Sequence, residues 1–367
     1  MVAVHQFLPT FAPRDAIGTH TRHAQRILRD MGVESDIYAE GLPAGGWKRA
    51  RPYRTFSWRR TPLGRTWLLY QFSTGSAVAE YLRTRPEPKV VNYHNVTTAA
   101  LFAPWEPHVG VELDEGRRQL GEMAPACALG IAVSSFNEAD LRAAGARHTV
   151  VAPVLVDLDD RSGPPDPEVG DRLARAKARG GADWLFVGRV APHKCQHDVV
   201  RAFAAYRRLY DPAARLHLVG AVGSHAYATA LQRFVCGLGL TGAVDLAGSV
   251  SPPALAAYYE AADAFVCLSE HEGFCVPVIE AMGSGTPVVA FGAAAVPETV
   301  RGAGVILAAK DPVVVAAAVS RVLGDAGLRV ALAAAGRRRA ADFSLARSSA
   351  RFRAVMADLL SGVSGAP

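Results

Sequence analysis

Cysteine is scarce in this chain. Five residues, Cys127, Cys195, Cys236, Cys267 and Cys275, are scattered over 367 positions. Their number is odd and no zinc-finger spacing occurs. Buried thiols are therefore expected, rather than a disulfide framework or a metal site. No apolar run approaches the ~20 residues of a membrane-spanning helix. The opening residues, Met-Val-Ala-Val-His-Gln, lack the charged region and apolar core of a secretory leader, which leads to the expectation of a cytoplasmic chain. An RNP-like aromatic pattern and a basic helix with a heptad extension are also missing, so nucleic acid is not an expected partner.

Half of the residues are apolar and a fifth are charged, a balance that suits globular structure. The length is enough for two ordinary domains. The net charge of +6 favours anionic partners, among them phosphorylated ligands and acidic surfaces.

The densest pattern is residues 269–287, Ser-Glu-His-Glu-Gly-Phe-Cys-Val-Pro-Val-Ile-Glu-Ala-Met-Gly-Ser-Gly-Thr-Pro. The apolar run 264–268 before it reads as a buried strand, and 287–291 as the next. Between them Gly273 permits a tight turn, Pro277 fits the start of a short helix, and Gly283 and Gly285 fit its end. Such a loop aims backbone N–H groups and the positive helix end at a ligand, which suits a phosphate. Glu272 on the loop and Glu280 one turn into the helix can each accept two hydroxyl protons. Their alternative roles are a helix cap and a solvated face residue.

The first half reads as strand, loop, helix and strand (2–8, then 20–31, then 34–38), the opening of a doubly wound α/β domain. Gly18 lies in its first loop, where it either lets backbone approach a phosphate or makes a simple turn. Further strands are expected at 66–72, 89–94, 128–134 and 149–156. The strand at 89–94 delivers His94 to a carboxyl edge, where a neutral imidazole can bond a sugar hydroxyl or a phosphate oxygen; the alternative is a histidine satisfied within its loop. Residues 47–66 hold seven basic residues and no acidic ones, interleaved with Trp47, Tyr53, Phe56 and Trp58. This stretch is either a solvated loop or a surface for an anionic membrane or lipid-pyrophosphate acceptor, through Lys48, Arg49, Arg51, Arg54, Arg59 and Arg60. Residues 157–170, rich in Pro, Gly and Asp, read as an interdomain linker.

In the second half, six short apolar strands (184–189, 215–220, 244–248, 264–268, 287–291 and 304–308) alternate with helical patterns, which calls for a second parallel sheet. Its first turn carries Arg189 and Lys194, which are either spaced to meet one anion together or an exposed pair with solvated heads.

Glu-Gly-Phe-x-x-Pro-x-x-Glu-Ala-Met-x-x-Gly-x-Pro-Val-Val-Ala resembles the signature of retaining GT-B glycosyltransferases of family 4, and Gly-Arg-x-x-x-x-Lys resembles that family's diphosphate-binding turn. Tyr-His-Asn at 93–95 is similar to the stretch with its donor-contacting histidine, and 245–250 to its loop beside the nucleobase. The resemblance implies an α/β fold of two Rossmann-like doubly wound domains facing across a cleft. Residues 1–160 would form the acceptor side, 161–345 the nucleotide-sugar side, and 346–367 a helix returning to the first domain. It implies transfer of a sugar from a nucleotide-diphosphate sugar (UDP- or GDP-sugar) to a hydroxyl of a sugar or lipid-linked acceptor, with retention and no obligatory cofactor or metal. Glu272 and His94 would serve the reacting sugar; Gly18, Arg189, Lys194, Gly273, Phe274, Cys275 and Glu280 would bind the donor. Cell-surface polysaccharide or glycolipid assembly follows by the same resemblance, and the basic stretch adds a peripheral place at the inner face of a membrane. A sugar-nucleotide epimerase, a phosphorylase and a non-catalytic nucleotide-binding protein are the alternatives.

Overall fold

The computed structural model describes residues 2–12, 15–42, 50–56, 65–158 and 164–361. The chain divides into two compact units. The first is Met1–Ala100, Pro107–Val156 and Phe343–Pro367; the second is Leu101–Glu106 and Asp157–Asp342.

The first unit is built on β1 (Ala3–Thr10), β2 (Ile37–Gly41), β3 (Ala50–Pro52), β4 (Thr66–Phe72), β5 (Lys89–Tyr93), β6 (Leu129–Ala132) and β7 (Thr149–Val151). They form one sheet in the order β3-β2-β1-β4-β5-β6-β7. Every pairing is parallel, with Phe7 of β1 opposite Tyr38 of β2 and Tyr70 of β4. β1 and β4 are buried almost throughout, so their sequences are near-continuous apolar runs, as strands covered on both faces require. The covering helices are α1 (Ala16–Asp30), α2 (Ala77–Arg83), α3 (Pro107–Met123), α4 (Ser135–Ala143) and, from the end of the chain, α13 (Leu345–Ser361). Phe352 and Met356 of α13 join Ala24 and Leu28 of α1 over Val4, Leu69 and Val90 in one apolar core.

Two elements here depart from the sequence reading. α3 has a weakly apolar sequence, because part of its buried face is glycine. A Cβ at Gly116 would lie 2.6 Å from the Gly75 nitrogen, so the helix packs directly on backbone. β3 falls inside the basic stretch, as an edge strand ending at Pro52, where a missing N–H removes nothing from the sheet.

The second unit contains β8 (Asp183–Val187), β9 (Arg215–Val219), β10 (Val244–Gly248), β11 (Ala264–Cys267), β12 (Val288–Phe291) and β13 (Val305–Leu307), all parallel, in the order β10-β9-β8-β11-β12-β13. Its helices are α5 (Pro167–Lys177), α6 (Gln196–Leu209), α7 (His225–Gly237), α8 (Pro252–Ala261), α9 (Val276–Ser284), α10 (Val296–Val300), α11 (Pro312–Gly324) and α12 (Ala326–Ala341). Trp184, Phe186, Phe203, Leu218, Val266 and Val319 centre its core.

α5 begins inside the stretch read as a linker. Asp166 accepts the Val169 N–H at 3.1 Å and Pro167 takes the first helical position, so the polar residues are a helix start. The α/β class and the two Rossmann-like units agree with the GT-B expectation. In each sheet the strand order reverses at one place, between β1 and β4 and between β8 and β11. Ligands of open α/β sheets bind beyond the carboxyl ends of the strands at such a point.

Candidate active site

In the second unit the two strands flanking the reversal end in the residues singled out from sequence. β8 runs into Gly188 and Arg189, then a short helical turn, Pro192–Lys194. β11 runs into the loop 268–275, then α9. Lys194 Nζ lies 2.7 Å from Glu272 Oε1, with the lysine side chain 14% exposed and the glutamate 9%. Burial alone would lower the Lys194 pKa; the Glu272 carboxylate, with the Cys275 and Cys267 sulfurs beside it, holds the ammonium above its ordinary value. Sequence spacing assigned Lys194 to an incoming anion, and the structure shows that it already has a counter-charge. Arg189 is exposed at the same edge, and the Gln196 amide donates to its carbonyl at 2.8 Å, fixing the backbone of the turn.

The loop after β11 is held by its backbone. The Glu272 carbonyl accepts from Ala295 N–H at 3.1 Å, and the Phe274 carbonyl accepts the Thr299 hydroxyl at 2.6 Å. Cys275 sits in the left-handed region at φ 67°, costly for a residue with a Cβ and a common form of stored strain at functional loops. Among the described residues no side chain caps the start of α9, so the helix presents its N-terminal dipole to the edge of the sheet. Glu280 is a half-buried residue of the second turn, and the Tyr259 hydroxyl donates to its Oε2 at 2.8 Å. Tyr259 is a buried member of α8 and was not recognised in the sequence, because an aromatic in an apolar helix reads as core.

Four of the five thiols are buried, as the sequence led one to expect, and one is not. Cys236 is exposed, whereas Cys127, Cys195, Cys267 and Cys275 are buried. Cys267 and Cys275 are paired, their sulfurs 3.9 Å apart. With the Glu272 carboxylate they place three ligand-type atoms within 4.8 Å of one another. Cys195, Asp198 and Glu270 form a similar group, but Lys310 fills it: Nζ lies 2.6 Å from both carboxylates and 3.5 Å from the sulfur. Lys310 follows β13 and was missed, since a lone lysine after a strand has no spacing signal.

In the first unit the side chains at the reversal are neutral amides and imidazoles, and the nearest ion pair, Arg117–Asp140, stands beside the end of β5 at Tyr93. Gln6 stands midway along β1, and Gln71 and Asn92 lie near the carboxyl ends of β4 and β5; all three are fully buried. Gln6 donates to the Thr21 carbonyl at 3.0 Å, Gln71 to Gln6 at 2.9 Å and Asn92 to Gln71 at 2.9 Å. His94 follows β5, and its Nε2 is 2.7 Å from Gln71 Oε1. The His20 ring stands edge-on to it at 4.9 Å, its Nδ1 accepting from Leu155 N–H. Burial drives the His94 pKa down to about 3, so the ring is neutral at physiological pH. The sequence signal for this set was present and unused: three amides interrupt apolar strands where a purely structural strand would continue Val, Ile or Leu.

Gly18 lies in the first turn of α1. A Cβ there would be 2.1 Å from the Ala12 carbonyl oxygen, so tight packing of helix on loop requires glycine. Of the basic stretch, Lys48, Arg49, Arg59 and Arg60 lie outside the described residues. Arg51 pairs with Asp36 at 3.3 Å, and Arg54 donates to the Tyr53 hydroxyl at 2.9 Å.

Residues 173–339 match the family model of glycosyl transferases group 1. The matched segment spans both strands at the reversal and all four of Arg189, Lys194, Glu272 and Glu280. The chain is 36% identical over 214 residues to a D-inositol 3-phosphate glycosyltransferase of Geodermatophilus obscurus, covering 55% of this chain and 45% of that relative. It is 30% identical over 183 residues to a GDP-mannose-dependent alpha-(1-6)-phosphatidylinositol monomannoside mannosyltransferase of Mycobacterium tuberculosis, covering 47% and 46%. The matches thus span about half the length of these relatives. Among solved structures, sucrose-phosphate synthase from Thermosynechococcus elongatus superimposes with a TM-score of 0.76 at 18% identity, covering 98% of this chain and all of that one. Anabaena HepE in complex with UDP and glucose gives 0.72 at 18% identity, with the same coverage. These likenesses establish the shared fold.

Proposed function

We propose that the protein is a retaining glycosyltransferase that moves a sugar from a nucleotide-diphosphate sugar to an acceptor hydroxyl. The observation that carries this reading is the Lys194–Glu272 pair at the strand reversal of a group 1 segment, with Arg189 on the same edge. The exposed Arg189 guanidinium, the Lys194 ammonium and the N-terminus of α9 supply positive potential for the leaving diphosphate. Charge stabilisation on that group is the main demand of the reaction. Glu272 receives the hydroxyls of the donor sugar, with the backbone N–H groups of Gly273, Phe274 and Cys275 alongside, and Glu280 receives the ribose. As Glu272 turns to the sugar, Lys194 gains the phosphate as its new counter-charge, so neither buried ion is left alone. The neutral His94, held by Gln71, serves as a hydrogen-bonding partner for the sugar; burial keeps it from acting as a general acid near neutral pH.

The half-length relatives are named for transfer to inositol phosphate and to a phosphatidylinositol mannoside. Phosphorylated cyclitols and their lipids are therefore the first acceptors to try. The reading needs no metal for transfer. Attachment to an acidic membrane through the basic stretch belongs to the same proposal; salt-sensitive co-sedimentation with anionic vesicles supports it, and no co-sedimentation ends it. The test of function is incubation of the full chain with UDP- and GDP-sugars and these acceptors, with and without EDTA. Acceptor-dependent nucleotide release and a product of unchanged anomeric configuration on NMR are expected. Conversion of donor without acceptor would indicate an epimerase instead.

A further inference from the structure

The paired thiols beside Glu272 have no part in the chemistry proposed above. Cys267 ends β11 and is 2% exposed; Cys275 precedes α9 and is 5% exposed; Glu272 lies between them in sequence and is 8% exposed. Their ligand atoms all fall within 4.8 Å. The 3.9 Å between the sulfurs is close to the edge of a tetrahedron around zinc, about 3.8 Å for a metal–sulfur bond of about 2.3 Å. The loop is anchored at Glu272 and Phe274 by the backbone bonds to Ala295 and Thr299, so the ligand set is organised before any ion arrives.

We infer that Cys267, Cys275 and Glu272 form a binding site for a thiophilic divalent cation of the zinc class, at the donor loop. The ion takes two thiolates and one carboxylate oxygen and leaves one position of a tetrahedron open. Binding releases the two thiol protons to solvent as the dication enters. The charge of the pocket is unchanged, and Lys194 remains as a counter-ion. In the second cluster, at Cys195, the Lys310 ammonium contacts all three ligand atoms, whereas Lys194 pairs with the Glu272 carboxylate and the two sulfurs hydrogen-bond each other. On the glycosyltransferase reading, the site is inhibitory: the ion engages Glu272, the residue assigned to the donor sugar.

The experiment is titration of the phosphine-reduced full chain with Cd2+, followed by thiolate-to-cadmium ultraviolet absorption, with Zn2+ affinity measured by competition against a chromophoric chelator. One tight site per chain is expected. Cys267→Ala should weaken it by more than roughly a hundredfold, since even outer-shell changes cost about 10–100-fold. Cys275→Ser should do the same, and Cys195→Ser and Cys236→Ser should leave it intact. No tight site in the wild type, or a site untouched by both Cys267→Ala and Cys275→Ser, overturns the inference. The wild-type stoichiometry decides even if a variant fails to fold. Zn2+ should also stop sugar transfer, reversibly on chelation. Metal binding in a chain with no transferase activity would remove the functional reading and keep the site; transfer by a chain that binds no metal would remove the site alone.

Discussion

The two sheets reverse their strand order in the same way, between β1 and β4 and between β8 and β11, yet opposite chemistry stands at the two reversals. At the second, Lys194 and Glu272 form a nearly buried ion pair beside the exposed Arg189. At the first, buried amides and a half-buried imidazole are joined in a chain from Thr21 through Gln6 and Gln71 to Asn92 and His94. The shared topology makes two edges where a ligand can sit; the side chains decide what kind. Charges suit a diphosphate, whereas neutral donors and acceptors suit hydroxyls. A polar group in either place also has a structural cost, which makes the comparison testable.

The largest effect is expected at the charged edge. Lys194→Ala leaves the Glu272 carboxylate buried without its partner and should lower unfolding stability by about 3–5 kcal/mol in denaturant titration. Lys194→Met combined with Glu272→Gln should recover much of that stability and none of the donor binding. A single variant as stable as the wild type would show that the pair is effectively solvated.

At the neutral edge, Gln71→Leu removes the partner of Gln6, Asn92 and His94 together. A cost of about 1–3 kcal/mol for each buried group left unsatisfied is the upper scale. The same titration should show a loss of at least that for one group, without any change in nucleotide affinity. Loss of nucleotide binding in a variant that is still folded would contradict the separation of roles.

Acid sharpens the contrast. An unfolded imidazole takes up a proton below its ordinary value of 6.5, whereas burial holds His94 down to about 3 and keeps His20 well below 6.5. The unfolded chain therefore binds more protons in this window. Stability from these groups is full above about 6.5 and declines as the pH falls toward about 3. Imidazole NMR signals of His20 and His94 should stay in the neutral form from pH 7 to pH 5; a midpoint near 6.5 would place them in solvent.

The smallest effect on stability is expected at Arg189. Arg189→Ala should change unfolding stability by no more than about 0.5 kcal/mol, as exposed substitutions do.

Much of this arrangement was legible in the sequence. The second unit's strands were visible as apolar runs, and Arg189, Lys194, Glu272 and Glu280 fell on turns whose glycines and prolines mark them as sheet edges. Partnerships were not legible. No spacing rule brings Lys194 onto Glu272, 78 residues away, or sets the Cys267 and Cys275 sulfurs in contact across a loop whose intervening residues suggest only a turn. Gln6, Gln71 and Asn92 escaped notice because each alone is one polar residue in a strand; they become a network only when β1, β4 and β5 lie side by side. α3 and α5 were missed for local reasons, a buried face partly of glycine in one and a helix start mistaken for a linker in the other.

The central claim is that the charged edge of the second unit binds a nucleoside diphosphate. Calorimetric titration of UDP and GDP into the wild type and Arg189→Ala tests it most directly, because this variant is expected to keep its fold. The account predicts that one nucleotide binds clearly best, with or without EDTA, and that its affinity falls roughly tenfold or more in Arg189→Ala, the worth of a charge-assisted hydrogen bond. Binding of neither nucleotide to the wild type, or equal binding by a folded Arg189→Ala, would contradict it.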